Sequence, residues 1–140
     1  MKIKVKKLSP DANLPCYAHP GDAGLDFFSI EDYDLKPMER HLFSTGISLE
    51  LPEGFVALVW DKSGLGAVHG IKVLGGVIDA HYRGEYKIGL LNTSDKSFHF
   101  KKGDKLAQVL IQPVVSAELE EVDKLSDSVR GEKGFGSSGK

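Results

Sequence analysis

Apolar and polar residues alternate along this chain in short runs, and Gly, Pro, Asp and Asn separate one run from the next. A period of two is the pattern of half-buried strands, and few stretches carry the 3.6-residue period of a helix. The pattern predicts strands over 3–8, 25–29, 40–44, 47–50, 55–60, 73–78, 86–92, 98–100 and 106–115. Short strands at regular spacing predict an all-β domain, a sandwich or distorted jelly roll. The one helical candidate is 63–69, SGLGAVH, with Ser63 as its cap and Gly70 as its stop. Gly64 and Gly66 inside it restrict it to one or two turns.

Composition adds limits to that picture. A chain of 140 residues suits one domain with a real core. The boundary falls near residue 125, dividing a β domain over 1–124 from an arm over 125–140. Past Leu125 the arm is rich in Gly, Ser and charge and has only Val129 and Phe135 as apolar anchors, so on its own it is expected to be flexible. A net charge of -2 supplies no basic field for nucleic acid. The lysines at 2, 4, 6 and 7 and at 101, 102 and 105 read as a solvated fringe. Cys16 is the single cysteine, which excludes an intrachain disulfide and a cysteine zinc site and reads as a small buried or half-buried residue. The opening MKIKVKKL lacks the apolar core of a signal peptide, and no run is long enough to span a bilayer. A soluble, cytoplasmic protein with no membrane or nucleic-acid partner is expected.

Candidate chemistry concentrates in five segments. The densest is 75–85, GGVIDAHYRGE: Gly75 and Gly76 permit positive φ or close backbone approach, Val77 and Ile78 form a buried β pair, and Arg83-Gly84 closes a turn. Asp79 and Tyr82 are thereby expected at the end of a paired strand, with room for a small molecule between them. Taken singly, such an Asp is more often a turn former and such a Tyr a packing residue. The other segments are 22–27 (DAGLDF), 61–66 (DKSGLG), 103–112 (GDKLAQVLIQ) and 130–139 (RGEKGFGSSG). Gln108 lies in an apolar strand, where an inward amide needs a partner. Backbone N–H groups beside Ser63 would make a phosphate seat at a helix start.

In this order and spacing the five segments resemble the motifs of the trimeric deoxyuridine triphosphatases, over nearly the whole chain. The resemblance implies a dUTPase-like β-clip and hydrolysis of dUTP to dUMP and pyrophosphate. Asp79 would deprotonate the attacking water, and Arg130 would act on the γ-phosphate. Lys62, Ser63, Gly64 and Gln108 would hold the phosphates. The backbone of Gly75, Gly76, Val77 and Ile78 would read uracil, Tyr82 would exclude a 2′-hydroxyl, and Lys87 would reach the substrate from its strand. Phe135 would stack on the base while Gly136 and Ser137 wrap the phosphates. Asp26 would hold Mg²⁺ through water. The implied assembly is a homotrimer that shares each site among its subunits.

Two departures stand out. Asp61 and Lys62 replace the family's Pro-Arg, exchanging a guanidinium fork for a point charge and placing a carboxylate near the expected triphosphate. Lys105 replaces a more common Arg and reads as solvated. Two alternatives remain open at this stage. A dCTP deaminase, or a bifunctional form, needs a buried Glu beside the base, and the one candidate, Glu85, reads as facing solvent. A catalytically inactive binding module on the same fold is hinted at only by Asp61-Lys62. His41, His69 and His99 are too scattered to form a site.

Overall fold

The computed structural model describes residues 1–132 and 134. It is all-β and of jelly-roll type. Its strands are β1 (Lys4–Lys7), β2 (Leu25–Phe28), β3 (Tyr33–Leu35), β4 (Arg40–Phe43), β5 (Ile47–Glu50), β6 (Phe55–Trp60), β7 (Ile71–Leu74), β8 (Val77–Asp79), β9 (Ile88–Asn92), β10 (Phe98–Phe100) and β11 (Lys105–Pro113). They form a four-stranded sheet in the order β2-β11-β6-β8, a three-stranded sheet in the order β4-β9-β7, and the pairs β1-β5 and β10-β3. Every pairing between named strands is antiparallel.

The expected alternation is visible in β9, where Ile88, Leu90 and Asn92 are buried and Gly89 and Leu91 are less so. Two apolar clusters fill the interior: one around Phe27, Ile47, Leu49, Ala57, Tyr86 and Val109, the other around Leu35, Phe43, Ile71, Leu90, Phe100 and Leu106. Val59 packs against both and joins them. Asn92, fully buried, donates to the Leu35 and Lys96 carbonyls and accepts from the Ser94 N–H and hydroxyl, so its amide leaves no unmet demand.

Three sequence expectations are corrected. The single strand expected over 73–78 is two strands, because Gly75 (φ 76°) and Gly76 (φ 130°) turn the chain out of the three-stranded sheet into the four-stranded one. The expected helix over 63–69 is a single π-helical turn, Gly64–Val68; Ser63 itself has helical φ and ψ and makes no side-chain cap bond. Cys16 is exposed rather than buried, and its carbonyl accepts the Asp26 N–H at 2.8 Å. The short β3, paired with β10, was not expected from the sequence pattern.

Candidate active site

The hairpin segment sits on the edge of the four-stranded sheet. β8 pairs with β6 through Val77↔Leu58, Ile78↔Ala57 and Asp79↔Val56, and the Val59 N–H donates to the Gly76 carbonyl at 2.8 Å. A Cβ on Gly76 would stand 2.8 Å from the Val59 oxygen, so only glycine permits this approach. Ile78 turns into the core, while Val77 and Asp79 are exposed on the other face. Beside it lies a cavity of about 290 Å³ lined by Val77, Asp79, Tyr82, Glu85 and Lys87 together with Leu42 and Ile78. The Tyr82 ring lies over Gly84, and its hydroxyl donates to the Glu85 carbonyl at 3.1 Å.

Glu85 does not face solvent. Its Oε1 accepts the backbone N–H of Thr45 at 3.0 Å and of Gly46 at 2.8 Å, and Lys87 Nζ stands 3.8 Å from Oε2. No local pattern marks this role, because the anchor lies about forty residues away on the β4–β5 corner.

A second group of predicted residues gathers where β2 meets β11. The register pairs Gln108 with Asp26, Ala107 with Phe27 and Lys105 with Phe28, and β11 is bulged between Lys105 and Ala107. A regular strand would send residues 105 and 108 to opposite faces; the extra residue brings both to the face of Asp26. Asp26 is only 2% exposed. Its Oδ1 bonds the Lys62 ammonium, and Lys105 Nζ lies 2.7 Å from Oδ2. Burial opposes ionisation of Asp26, but the Lys105 and Lys62 ammonium groups outweigh it and hold the carboxyl below its ordinary value. The hydrogen bond to Asp26 in turn raises the Lys105 pKa. Lys105 is therefore ion-paired rather than merely solvated. Lys62, Gly64 and Lys105 line one cavity of about 580 Å³ floored by Phe28, Phe98 and Phe100.

Asp61 points away from that cavity. Its Oδ1 accepts the Val73 N–H at 2.7 Å, its Oδ2 pairs with Lys72, and its carbonyl accepts Gln108 Nε2 at 2.9 Å. The Gln108 amide thus finds its partner in the backbone before β7. Ser63 is exposed beside Lys62. A five-residue turn is too short to add a helix-end field, so positive charge on this side comes from the lysines.

Mg²⁺ favours oxygen ligands and keeps most of its waters. The residues here do not fit it as a resident ion: Asp26 is a single buried carboxylate with a lysine facing each oxygen, and among the described residues no three His, Cys, Asp or Glu side chains cluster as a metal site.

The two groups lie far apart within one chain. Asp79 stands opposite Val56, whereas Lys62 follows Trp60, and the four residue steps from Val56 to Trp60 alone span about 13 Å. Arg130 is exposed on the stretch after β11 and lines neither cavity. Phe135, Gly136 and Ser137 lie outside the described residues.

An all-β chain with a carboxylate-bearing hairpin and a separate lysine-rimmed cavity has the groups of a phosphoester hydrolase. The comparisons narrow this class. The dUTPase family model matches residues 10–139. The deoxyuridine 5'-triphosphate nucleotidohydrolase of Clostridium tetani is 50% identical over 140 residues, covering 99% of this chain and 97% of that protein; the one from Clostridium kluyveri is 48% identical, covering 99% of each. The structure of a point mutant of the Staphylococcus bacteriophage 80alpha dUTPase with dUpNHpp superposes with a TM-score of 0.92 at 33% identity, covering 99% of this chain and 98% of that one. A mutant dUTPase of phage phi11, described with a structural Mg(II) ion, superposes with a TM-score of 0.84 at 28% identity, covering 91% and 100%. The chain belongs to the dUTPase family.

Proposed function

We propose that this protein hydrolyses dUTP to dUMP and pyrophosphate, limiting uracil in DNA and supplying dUMP for thymidylate synthesis. The observation that carries the reading is the placement of Asp79: an exposed carboxylate at the end of a paired strand, beside Tyr82 in a cavity of nucleoside size. Family membership and the relatives' names support the same substrate.

In the proposed reaction Asp79 accepts a proton from a water whose oxygen forms a bond to the α-phosphorus. The bond from that phosphorus to the α,β-bridging oxygen breaks, and pyrophosphate leaves. The backbone of Gly75, Gly76, Val77 and Ile78 reads the uracil edge, and the Tyr82 ring, fixed over Gly84, occupies the space a 2′-hydroxyl would need. Lys87 reaches the sugar and α-phosphate side of the same cavity. Lys62, Ser63, Gly64 and Gln108 receive the phosphates, and Arg130, Phe135, Gly136 and Ser137 close from the arm formed by residues 125–140. Mg²⁺ enters with the triphosphate as its counter-ion and is not held by Asp26.

The assembly proposed is a homotrimer. Asp79 and Lys62 sit toward opposite ends of β6 in one chain, so a single nucleotide meets both only if a neighbour contributes one of them. Val115, Leu119 and Leu125 are also left in water by a single copy, which a partner surface would cover. The single cysteine suits a reducing cytoplasm.

Pyrophosphate release from dUTP, dCTP, dTTP and UTP, measured with Mg²⁺ for the unmodified chain and for Asp79→Asn, tests the reading. Turnover of dUTP alone, abolished by the substitution, is expected. Ammonia from dCTP, or no turnover of any nucleotide by the folded oligomer, would overturn it.

A further inference from the structure

Lys105 has no role in the reaction as proposed above, yet its position is tightly specified. The β11 bulge puts its side chain on the face of Asp26 and Gln108, where an unbulged strand would have turned it away. Its ammonium lines the same cavity as Lys62 and Gly64. The ammonium stands 2.7 Å from Asp26 Oδ2, and of its three donors those not turned to the carboxylate are left for another acceptor at the cavity. The carboxylate between the two lysines is buried while both ammonium groups are partly exposed.

A buried carboxylate costs desolvation energy, and two cations that share it gain fixed directions in return. Asp26, Lys62 and Lys105 together carry a net charge of +1, with the negative member inside and the positive members at the cavity. Of the neighbouring charges, Lys102 pairs with Asp11, and the Asp104 carboxylate, also on the cavity wall, accepts the Lys101 N–H at 2.8 Å. A lysine makes one compact contact where an arginine makes two parallel ones. Two lysines on one carboxylate therefore restore the two-point hold on a phosphate chain that Lys62 alone gives up.

We infer that Lys105 is a phosphate-binding residue of this enzyme, aimed by Asp26 and acting beside Lys62 on the triphosphate; the inference rests on the dUTP reading above. Asp26 is the positioning residue of this clamp.

Equilibrium binding to the full-length oligomer separates the two ideas. The probes are dUTP with an imido group between its α- and β-phosphates, and deoxyuridine, which has no phosphate. Lys105→Met is expected to weaken the imido nucleotide about tenfold, to lower the salt dependence of its affinity, and to leave deoxyuridine unchanged. Lys105→Arg is expected to restore the loss, and Asp26→Asn, which loosens both lysines, to weaken the imido nucleotide further. Undiminished triphosphate binding by Lys105→Met would overturn the clamp, as would a parallel loss of deoxyuridine affinity, which marks a structural role. If the unmodified chain binds neither probe, the dUTP reading itself fails and the clamp with it.

Discussion

Glu85 Oε1 lies 2.8 Å from the backbone nitrogen of Gly46 and accepts its N–H, tying the return of the hairpin to the β4–β5 corner. Gly46 is at φ 66°, and a Cβ there would stand 2.9 Å from the Ala12 side chain, so both ends of the tie are specified. The same oxygen takes the Thr45 N–H, and the Glu85 carbonyl holds the Tyr82 hydroxyl.

Glu85→Ala leaves two backbone donors without their acceptor, at a cost of about 2 kcal/mol, whereas Glu85→Gln keeps a carbonyl oxygen in place and costs less than about 1 kcal/mol. Urea unfolding of the two variants checks this. Equal losses would show that charge, not the acceptor, makes the tie.

Tyr82 is held over Gly84 so closely that an added Cβ would lie 2.3 Å from its hydroxyl oxygen. Gly84→Ala must therefore displace the ring. If the ring excludes the ribose 2′-hydroxyl, the variant shows a higher ratio of UTP to dUTP turnover, by about tenfold, the discrimination one misplaced contact commonly carries. A folded variant with an unchanged ratio would remove Tyr82 from sugar selection.

The strands over 47–50, 55–60 and 98–100 were legible to the residue, because the first and last alternate, the middle one is a continuous apolar run, and all three are bounded by turn formers. Asp79 and Tyr82 were legible as a strand-end pair for the same reason. What was not legible depends on partners distant in sequence. Glu85 needs the corner at Thr45, and Lys105 needs a bulge that reverses its face, which a period-two reading assigns to the opposite side. The break between β7 and β8 was visible as Gly75-Gly76 but not as a change of sheet, since the glycines permit positive φ without saying where the chain then goes.

Asp61 illustrates the same limit with the sign reversed. From sequence its charge stands beside the triphosphate; in the fold it caps the Val73 N–H and pairs with Lys72. Asp61→Asn is expected to leave triphosphate affinity within about threefold, because the charge it removes is spent on an exposed lysine. Asp61→Ala, which strands the Val73 donor, is expected to cost about 1–2 kcal/mol of stability. A marked tightening of nucleotide binding by Asp61→Asn would place the carboxylate against the phosphates after all.

Tyr86 is fully buried, stacks on Phe27, and its hydroxyl has no hydrogen-bond partner among the described residues. An unmet buried hydroxyl costs about 1–3 kcal/mol, so Tyr86→Phe is expected to stabilise the protein or leave it unchanged. Burial disfavours the phenolate and pushes the Tyr86 pKa up from 10.0 to about 12. The unfolded chain thus releases this proton first as pH rises. Between pH 10 and 12 the native state holds the proton that the unfolded state has lost, and stability falls with pH across that window. The full loss attributable to this group is on the order of 2–3 kcal/mol. Denaturant midpoints at pH 9, 10 and 11 for the unmodified chain and for Tyr86→Phe isolate it from the lysines titrating in the same range. The unmodified chain should lose stability more steeply, and parallel slopes would show that the folded protein does not hold this phenol above its ordinary pKa.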